Sequence, residues 1–365
     1  MEILNKISQL TKDNGAIRDL RDLLVMEVFQ MPAFEQFFTI VANAQQGEKL
    51  GWLGQMENVG WAADKTCNPN YRKLAQDFAE KEWDLGRWSV PAEWCADDFM
   101  GTIAEYALKQ GTDIADLTGT DVMDVVIYPA LQEAFFKMYH RIVWFGDKSA
   151  NNVGSGGNIS AGVDKTLFTM TDGLWKRLFA VAAANAKQRT SIEANAEASA
   201  SAQKSSLYEE GAAIAIFEDI IMNADSRIAG LPNAAIYCTD SLAKALSRDL
   251  MKVYKQQLSW QQVESGVEGA TLNGVRTTEF EGFKILSMDM WDRMILEFEN
   301  NGTKLNLPHR AFYGSPSQLL VGTPANQIMS DISIFYDQKG RTVHAYSEGR
   351  LGTLIGQDEL FHIAY

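Results

Sequence analysis

Cysteine and histidine are scarce in this 365-residue sequence, which contains three cysteines and four histidines. Cys67, Cys95 and Cys238 lie far apart and form no C-x-x-C pair, which excludes a disulfide scaffold and favours buried free thiols, although a Cys67–Cys95 disulfide remains open. The histidines form no H-E-x-x-H or other metal-binding spacing. We therefore expect no metal site and no cofactor.

Long hydrophobic runs are also missing. No uninterrupted apolar segment approaches the ~18 residues that a membrane-spanning helix needs. The N-terminus lacks the basic and then apolar layout of a signal peptide. With 46% hydrophobic and 22% charged residues, the composition is that of a globular chain. We expect a soluble protein that is made in a cytoplasm and has no membrane partner.

Basic residues are outnumbered, with 33 Lys and Arg against 47 Asp and Glu, a net charge of −14. Tight binding to nucleic acid requires clustered Lys and Arg side chains that displace counterions from phosphates. No such cluster is visible along the chain. The charge balance argues against extensive or sequence-specific contact with DNA.

Catalytic signatures are absent as well. The glycine-rich segment 151–158 is not followed by Gly-Lys-Ser/Thr, so a phosphate-binding loop is disfavoured, and no G-x-S-x-G motif occurs. We therefore expect that the protein is not an enzyme. The alternative is a cytoplasmic α+β enzyme whose site is assembled from scattered residues such as His309, His344 and Asp331.

Several segments do carry a clear periodic pattern. Apolar residues at helical spacing predict a long helix over residues 121–144, with Pro129 near its start, and further helices over 207–224 and from Asp240 to Leu258. The alanine- and serine-rich segment 181–206 predicts a polar helix or a mobile loop outside the core. Segment 233–238 and much of the last hundred residues predict strands, including a hairpin across 328–346.

Large apolar and aromatic side chains are concentrated before residue 100. Segment 46–100 holds five of the nine tryptophans between repeated glycines, which is typical of an extended hairpin or an irregular loop. Because tryptophan is favoured at buried contact surfaces, we expect intersubunit contacts here, while packing in an ordinary core remains the alternative. The candidate contact residues are Trp52, Trp61, Trp83, Trp88, Trp94, Phe34, Phe37 and Phe38.

The order of these features carries a resemblance. The following features succeed one another along the chain: an apolar N-terminal segment, the Gly/Trp-rich segment, the long helix, the Phe145-Gly146-Asp147 loop, the sequence FEGFKI at 280–285 and the run FYGSPSQLLVGT at 312–323. The chain in this respect resembles the major capsid proteins of tailed bacteriophages with the Hong Kong 97-type fold, most closely those of phages with Bacteroidota hosts.

The resemblance implies an α+β fold with a definite division of the chain. It implies an N-terminal arm, an extended β-hairpin loop, a peripheral domain with a spine helix at 121–144, an axial domain, and return strands of the peripheral domain. The corresponding ranges are 1–45, 46–100, 101–230, 231–320 and 321–365.

The resemblance also implies a function and its partners. Copies of the chain would assemble into the hexamers and pentamers of an icosahedral head that encloses double-stranded DNA, in a virion assembled in the host cytoplasm. Segment 1–45 is shorter and more apolar than a fused scaffolding segment, so we expect a separate scaffolding protein and a portal. A nanocompartment shell protein of the same fold is the alternative.

Overall fold

The structure is a computed structural model that describes residues 37–56, 76–95, 128–264, 271–324, 333–337 and 342–365. It confirms the predicted mixture of helices and sheets. None of the helices in these ranges is both long and apolar enough to cross a membrane. The helices are α1 (Tyr128–Phe145), α2 (Leu174–Ala184), α3 (Ala200–Leu207), α4 (Ala212–Asn223), α5 (Asp240–Val253) and α6 (Asp289–Phe298).

The strands form three sheets. The strands are β1 (Thr39–Ala42), β2 (Lys49–Met56), β3 (Gln76–Glu82), β4 (Gly86–Cys95), β5 (Arg189–Thr190), β6 (Ala235–Thr239), β7 (Gln261–Glu264), β8 (Thr271–Phe280), β9 (Phe283–Met288), β10 (Ala311–Gly314), β11 (Leu319–Thr323), β12 (Ser333–Asp337), β13 (Thr342–Ile355) and β14 (His362–Ala364). A seven-stranded sheet has the order β5-β14-β10-β6-β9-β8-β7, a second sheet has β1-β11-β13-β12 with β4 added on β13, and β2 pairs with β3.

The middle of the seven-stranded sheet is buried on both faces. Its central strand β6 has five residues, all of them buried, as expected where helices cover a sheet on two sides. Successive side chains of a strand point to opposite faces. Accordingly Tyr237 packs in one core with residues of α1, α2 and α6, whereas Ile236 and Cys238 pack in another core with residues of α4 and α5.

An aromatic cluster fills the first of these cores. The indole rings of Trp144, Trp175 and Trp291 surround the ring of Phe312 at centroid distances of 6.1, 5.8 and 6.1 Å, and Tyr237 stacks on Phe312 at 4.9 Å. Aromatic side chains bury large areas and favour such tilted and offset arrangements. The cluster joins α1, α2, α6 and the sheet into one body.

The positively charged side chain of Arg310 is buried at the edge of this cluster. Arg310 is 1% exposed, and its guanidinium lies 5.4 Å from the ring centres of Phe145 and Phe179. It donates hydrogen bonds to the carbonyl oxygens of Leu307, at 2.7 Å, and Asn306, and it pairs with the Glu299 carboxylate. Because a buried charge is tolerated only when it is paired and fully hydrogen-bonded, Arg310 depends on this set of partners.

The predicted long helix is present as α1. Its described bounds are Tyr128–Phe145, with Pro129 near the start of this range. Phe135, Tyr139 and Ile142 lie on its buried side at the predicted helical spacing. Residues 121–127 of the prediction lie outside the described residues.

The sequence pattern predicted that the alanine-rich segment 181–206 lies outside the core, and this prediction is wrong for several of its residues. Gln203 is buried, and its amide donates to the carbonyl oxygens of Asn195 and Leu305 and accepts from the backbone N–H of Leu305. Asn195 makes the same kind of paired contact with the backbone of His309. These side-chain amides satisfy buried backbone groups, so polar composition did not mean exposure.

Helix α5 is shorter than predicted. It ends at Val253 rather than near Leu258, and Lys255 has a positive φ of 56°. The left-handed conformation at that point interrupts the helix, although the apolar spacing continues to Leu258. Strand β6 and the hairpin formed by β12 and β13 occur where the sequence predicts strands.

Strand β13 organises the second sheet. It pairs antiparallel with β4 from Thr342–Cys95 to Leu351–Gly86, with β12 along its first five residues, and with β11 near its end. Glycines on this sheet lie against tryptophan rings: a Cβ at Gly349 would come within 2.6 Å of Trp88, and one at Gly322 within 2.6 Å of Trp83. The small residues therefore make room for the two indoles.

We predict that Gly349→Ala lowers the free energy of unfolding by about 1–3 kcal/mol, the usual cost of overpacking a core. Trp88 is 4% exposed, and its ring centre lies 5.3 Å from that of Tyr139, so the indole has no room to move away. Urea unfolding measures the change. Gly154→Ala is the control, since a Cβ there meets no atom within 4 Å. Equal stabilities of the two variants would contradict this packing.

Candidate assembly surface

Among the described strands, the β2–β3 hairpin is an element separate from the two larger sheets. The two strands pair from Lys49–Glu82 to Met56–Gln76, with a register shift between Leu53 and Met56. Within the described ranges they form a sheet by themselves. An isolated two-stranded hairpin is marginally stable in water, so packing against another surface is expected to complete it.

The hairpin is rooted in a small core of its own. Trp83, directly after β3, is buried with Ala44, Leu85 and Leu354. Its backbone N–H donates to the Glu48 carbonyl, and the Gly47 N–H donates to the Trp83 carbonyl, both at 2.9 Å. Only residues 83–85 separate β3 from β4. The pairing of β4 with β13 thus determines where the hairpin leaves the body.

Lys81 fixes the base of the hairpin to the C-terminal part of the chain. Its ammonium group donates hydrogen bonds of 2.9 Å to the carbonyl oxygens of Ile355 and Gly356, and it also pairs with the Asp358 carboxylate. Three acceptors satisfy the three donors of the ammonium group. The same nitrogen lies 5.9 Å from the ring centre of Trp52.

A second anchor lies at Asp84, in the connection between β3 and β4. Its carboxylate pairs with Lys148 and accepts a hydrogen bond from the Gln46 amide at 3.3 Å. The hydrogen bond from Lys148 is the main cause that lowers the pKa of Asp84. Because Lys148 belongs to the loop after α1, this ion pair joins the hairpin base to the helical body.

The predicted contact residues divide into three groups. Four of them are covered by their own chain, Trp83 at 1% exposed and Trp88 at 4%, together with the buried Phe37 and Phe38. For these four side chains the structure shows the alternative that the sequence left open, which is packing in the core of their own chain. Phe34 and Trp61 lie outside the described residues, as does the side chain of Trp94, whose backbone pairs with Val343.

Trp52 is the described candidate that stays partly exposed. It lies on β2 opposite Ala79, in the hairpin that pairs with no other described strand. A partly exposed indole at such a position is the kind of side chain that gives large contact area to a partner. The structure therefore leaves Trp52 as the predicted aromatic contact that remains available.

The residues proposed for an alternative enzyme site lie in different surroundings. His309 is buried next to β10, with its Nδ1 atom 3.0 Å from the Ser241 hydroxyl, and burial lowers its pKa to about 4. His344 lies on β13 of the other sheet, where its Nε2 is 2.8 Å from the Thr342 hydroxyl. Asp331 lies outside the described residues. Two histidines with separate partners give no common catalytic arrangement.

Asp292 is the most strongly perturbed carboxyl group of this region. Burial raises its pKa to about 6, although the carboxylate accepts hydrogen bonds from the backbone N–H groups of Asp240, at 2.6 Å, and Ser241, at 3.1 Å, at the start of α5. The group caps a helix N-terminus, which is a structural role. In the described part of the chain, no group of three or more His, Cys, Asp and Glu side chains is arranged to hold a metal ion.

Sequence reasoning missed Lys81 and Asp84 as anchors. Lys81 was one lysine among several in segment 46–100, and its partners lie more than 270 residues away in the sequence. The local sequence contained no signal, because Lys81 lies between Glu80 and Glu82 in β3 and the acceptors of its ammonium group are distant in sequence. Those acceptors are backbone carbonyls, which no side-chain pattern reveals.

Known proteins similar to this chain are found by structure. No protein-family model matches it, and no curated protein matches it. A chain from Gordonia phage Cozz aligns with 93% of this chain and 85% of its own length, at 11% identity and a TM-score of 0.48. A chain of the satellite phage P4 procapsid, which includes the size determination (Sid) protein, aligns at 10% identity, 94% and 98% coverage and a TM-score of 0.46.

A third similar structure is the capsid of a native GTA particle, at 10% identity, 90% and 87% coverage and a TM-score of 0.42. The three similar structures are thus a phage protein, a procapsid and a capsid.

We predict that Lys81→Met loosens the hairpin while the body stays folded. The change removes the ammonium group that binds Ile355, Gly356 and Asp358 but keeps most of the aliphatic side chain. Amide hydrogen exchange should become faster in β2 and β3 and stay unchanged in β6. The matched control is Lys49→Met, whose exposed pair with Glu80 contributes about 0–1 kcal/mol. Equal exchange in both variants would contradict an anchoring role.

We predict a specific pH dependence from Asp292. Its pKa is raised in the folded state, so the folded chain holds the proton more tightly than the unfolded chain, and stability from this group is gained as pH falls through about 6. Relative to Asp292→Asn, which does not titrate, the native chain should gain about 1–1.5 kcal/mol between about pH 7.5 and about pH 5. Urea unfolding at both pH values measures this difference, and a pH-independent difference would refute it.

Proposed function

We propose that this chain is the major capsid protein of a tailed bacteriophage, with a Hong Kong 97-type fold. In this proposal copies of the chain assemble into hexamers and pentamers of an icosahedral head, and the head encloses double-stranded DNA. The N-terminal arm, extended loop, peripheral domain and axial domain have the ranges given in the sequence analysis. The chain has a structural and not an enzymatic role.

The observation that carries the proposal is the anchored but unaccompanied hairpin. Its root is fixed by Trp83, Lys81 and Asp84, whereas strands β2 and β3 pair only with each other among the described strands. A hairpin that is anchored at its base and whose strands pair with no other described strand is suited to lie on a neighbouring subunit. A closed shell needs many such repeated contacts between identical chains.

The charge of the chain supports the role of a wall around DNA. With a net charge of −14, the chain does not provide the clustered positive charge that tight phosphate binding requires. We therefore propose packaged DNA without sequence-specific contact. A separate scaffolding protein and a portal, in a virion assembled in the host cytoplasm, complete the proposal.

A nanocompartment shell of the same fold would use the same contacts around a different content. The two functions differ in what is enclosed: DNA for a phage head, and a protein cargo for a compartment. Nuclease-protected DNA in purified particles supports the phage head, and a stoichiometric second protein with no DNA supports the compartment.

We predict that the purified full chain forms rings of five or six subunits or closed particles, and that Trp52→Ala weakens this assembly. Removing the indole takes contact area from the hairpin and leaves the cores untouched, so thermal unfolding should stay unchanged. Size-exclusion chromatography with light scattering and negative-stain microscopy measure the assembly. Truncating a central aromatic side chain at an interface lowers the free energy of association by about 2 kcal/mol or more.

The control for this experiment is Tyr346→Ala, which removes an exposed aromatic side chain from β13 in the body. It should assemble as the native chain does. A native chain that stays monomeric at every concentration would refute the proposed function. Assembly that is equally reduced in both variants would refute the role of Trp52.

A further inference from the structure

Helix α5 has a surface with large apolar side chains that its own subunit leaves exposed. We define the α5 surface as Lys244, Arg248, Met251, Lys252 and Tyr254. At 100° per residue these positions fall on one side of the helix, within about 160° around its axis. Met251 and Tyr254 are 55% and 54% exposed, although both are large apolar side chains. Exposed apolar side chains grouped on one face mark interaction surfaces.

The α5 surface is also basic, in contrast to the chain as a whole. Between residues 240 and 259 the sequence has four basic residues and two acidic residues, Asp240 and Asp249, both of which are buried. Asp249 is buried and accepts a hydrogen bond from the backbone N–H of Ala213 at 2.9 Å, so it gives no negative charge to this surface. The whole chain, by comparison, carries a net charge of −14.

The positive charges of the surface differ in how far the subunit neutralises them. Lys244 pairs with Asp240 one turn earlier in the helix. Arg248 lies over the ring of Tyr208 at 5.0 Å, which leaves its charge uncompensated. Within the described residues, neither Arg248 nor Lys252 forms an ion pair. Two exposed cations beside two exposed apolar side chains fit an acidic partner with apolar contacts.

We propose that the α5 surface binds an acidic surface of a second copy of this chain. Each copy has 47 acidic and 33 basic residues, so the surface outside α5 is acidic and complementary in charge to it. Two α5 surfaces facing each other would repel. The contact is therefore heterologous, between different surfaces of successive copies, and such contacts generate rings. This inference rests on the proposed function, since it assigns a contact within the assembled subunits.

The apolar half of the surface distinguishes this partner from nucleic acid. The Met251 side chain has no group that binds phosphates, and a chain of net charge −14 repels DNA over most of its surface. A protein partner uses both the apolar and the basic side chains. Nucleic acid as the partner is an outcome that the experiment detects.

The test is charge reversal in the full chain. We expect Arg248→Glu/Lys252→Glu to raise the concentration of half-maximal assembly at least about tenfold, because like charges at an interface oppose association. The matched control, Lys187→Glu/Lys204→Glu, changes the net charge by the same amount at exposed positions outside α5 and should assemble normally. Light scattering against concentration measures assembly, and thermal unfolding of the same samples tests the fold.

Salt and a milder variant complete the design. Assembly of the native chain should weaken between about 0.05 and about 0.5 M NaCl, because salt screens exposed charges. If charge reversal prevents folding, Arg248→Gln/Lys252→Gln removes the charges without reversing them, and it should give a smaller rise with the same sign. An unchanged half-maximal concentration in this variant overturns the proposal.

The outcomes separate the two proposals. A native chain that never assembles overturns the proposed function and this inference with it. Native assembly with a fully assembling Arg248→Glu/Lys252→Glu variant overturns only the inference. If that variant assembles normally but its particles retain less DNA, the α5 surface binds nucleic acid, and the assignment to a second copy is again overturned.

Discussion

The pairing of β4 with β13 is the constraint on which the rest of the described structure depends. Ten successive residues of β4 align with β13, from Cys95–Thr342 to Gly86–Leu351. Since β3 ends only three residues before β4, this pairing also sets the position and direction of the β2–β3 hairpin. Register in such a ladder is strongly specified, because a shift by one residue turns every side chain to the opposite face. The packing of Trp88 against Gly349 adds a steric constraint on this register to that of the hydrogen bonds.

The helices and the seven-stranded sheet behind this sheet enclose a well-packed interior, so exposed apolar or unpaired elements elsewhere are informative. The middle of the seven-stranded sheet is covered on both faces, and even its buried charge, Arg310, is satisfied by Glu299, two carbonyl oxygens and aromatic rings. Polar groups such as Gln203 are likewise paired inside. The β2–β3 hairpin, whose strands pair with no other described strand, and the basic α5 surface with its exposed apolar side chains are the places where we propose that a second copy completes the packing.

Periodic features of the fold were predictable from sequence, and features that depend on distant partners were not. The stripe in α1 and the buried strand β6 follow from short-range spacing, and both were predicted. The exposure of a tryptophan does not follow from spacing: Trp83 and Trp88 are buried because Gly322 and Gly349, far along the chain, make room for their rings. The same reasoning applies to Gln203, whose burial depends on the backbone of Leu305.

The candidate assembly surface was predictable only as a region. The concentration of tryptophan and glycine in segment 46–100 indicated an extended element, and the described strands β2 and β3 of this segment pair as a hairpin with Trp52 partly exposed. The anchors Lys81 and Asp84 and the basic face of α5 required three-dimensional contacts. Helical spacing places Arg248 and Lys252 on one face, but only the structure shows that both acidic residues of α5, Asp240 and Asp249, are buried.

The central claim is that copies of this chain build a shell through the hairpin. The most direct measurement is cryo-electron microscopy of the assembled full chain at a resolution that traces strands. The account predicts a closed particle or ring in which the hairpin, rooted by Trp83 and Lys81 in one subunit, lies across the surface of the next with Trp52 in the contact. A hairpin folded back on its own subunit, with no neighbour within contact distance of Trp52, would contradict it.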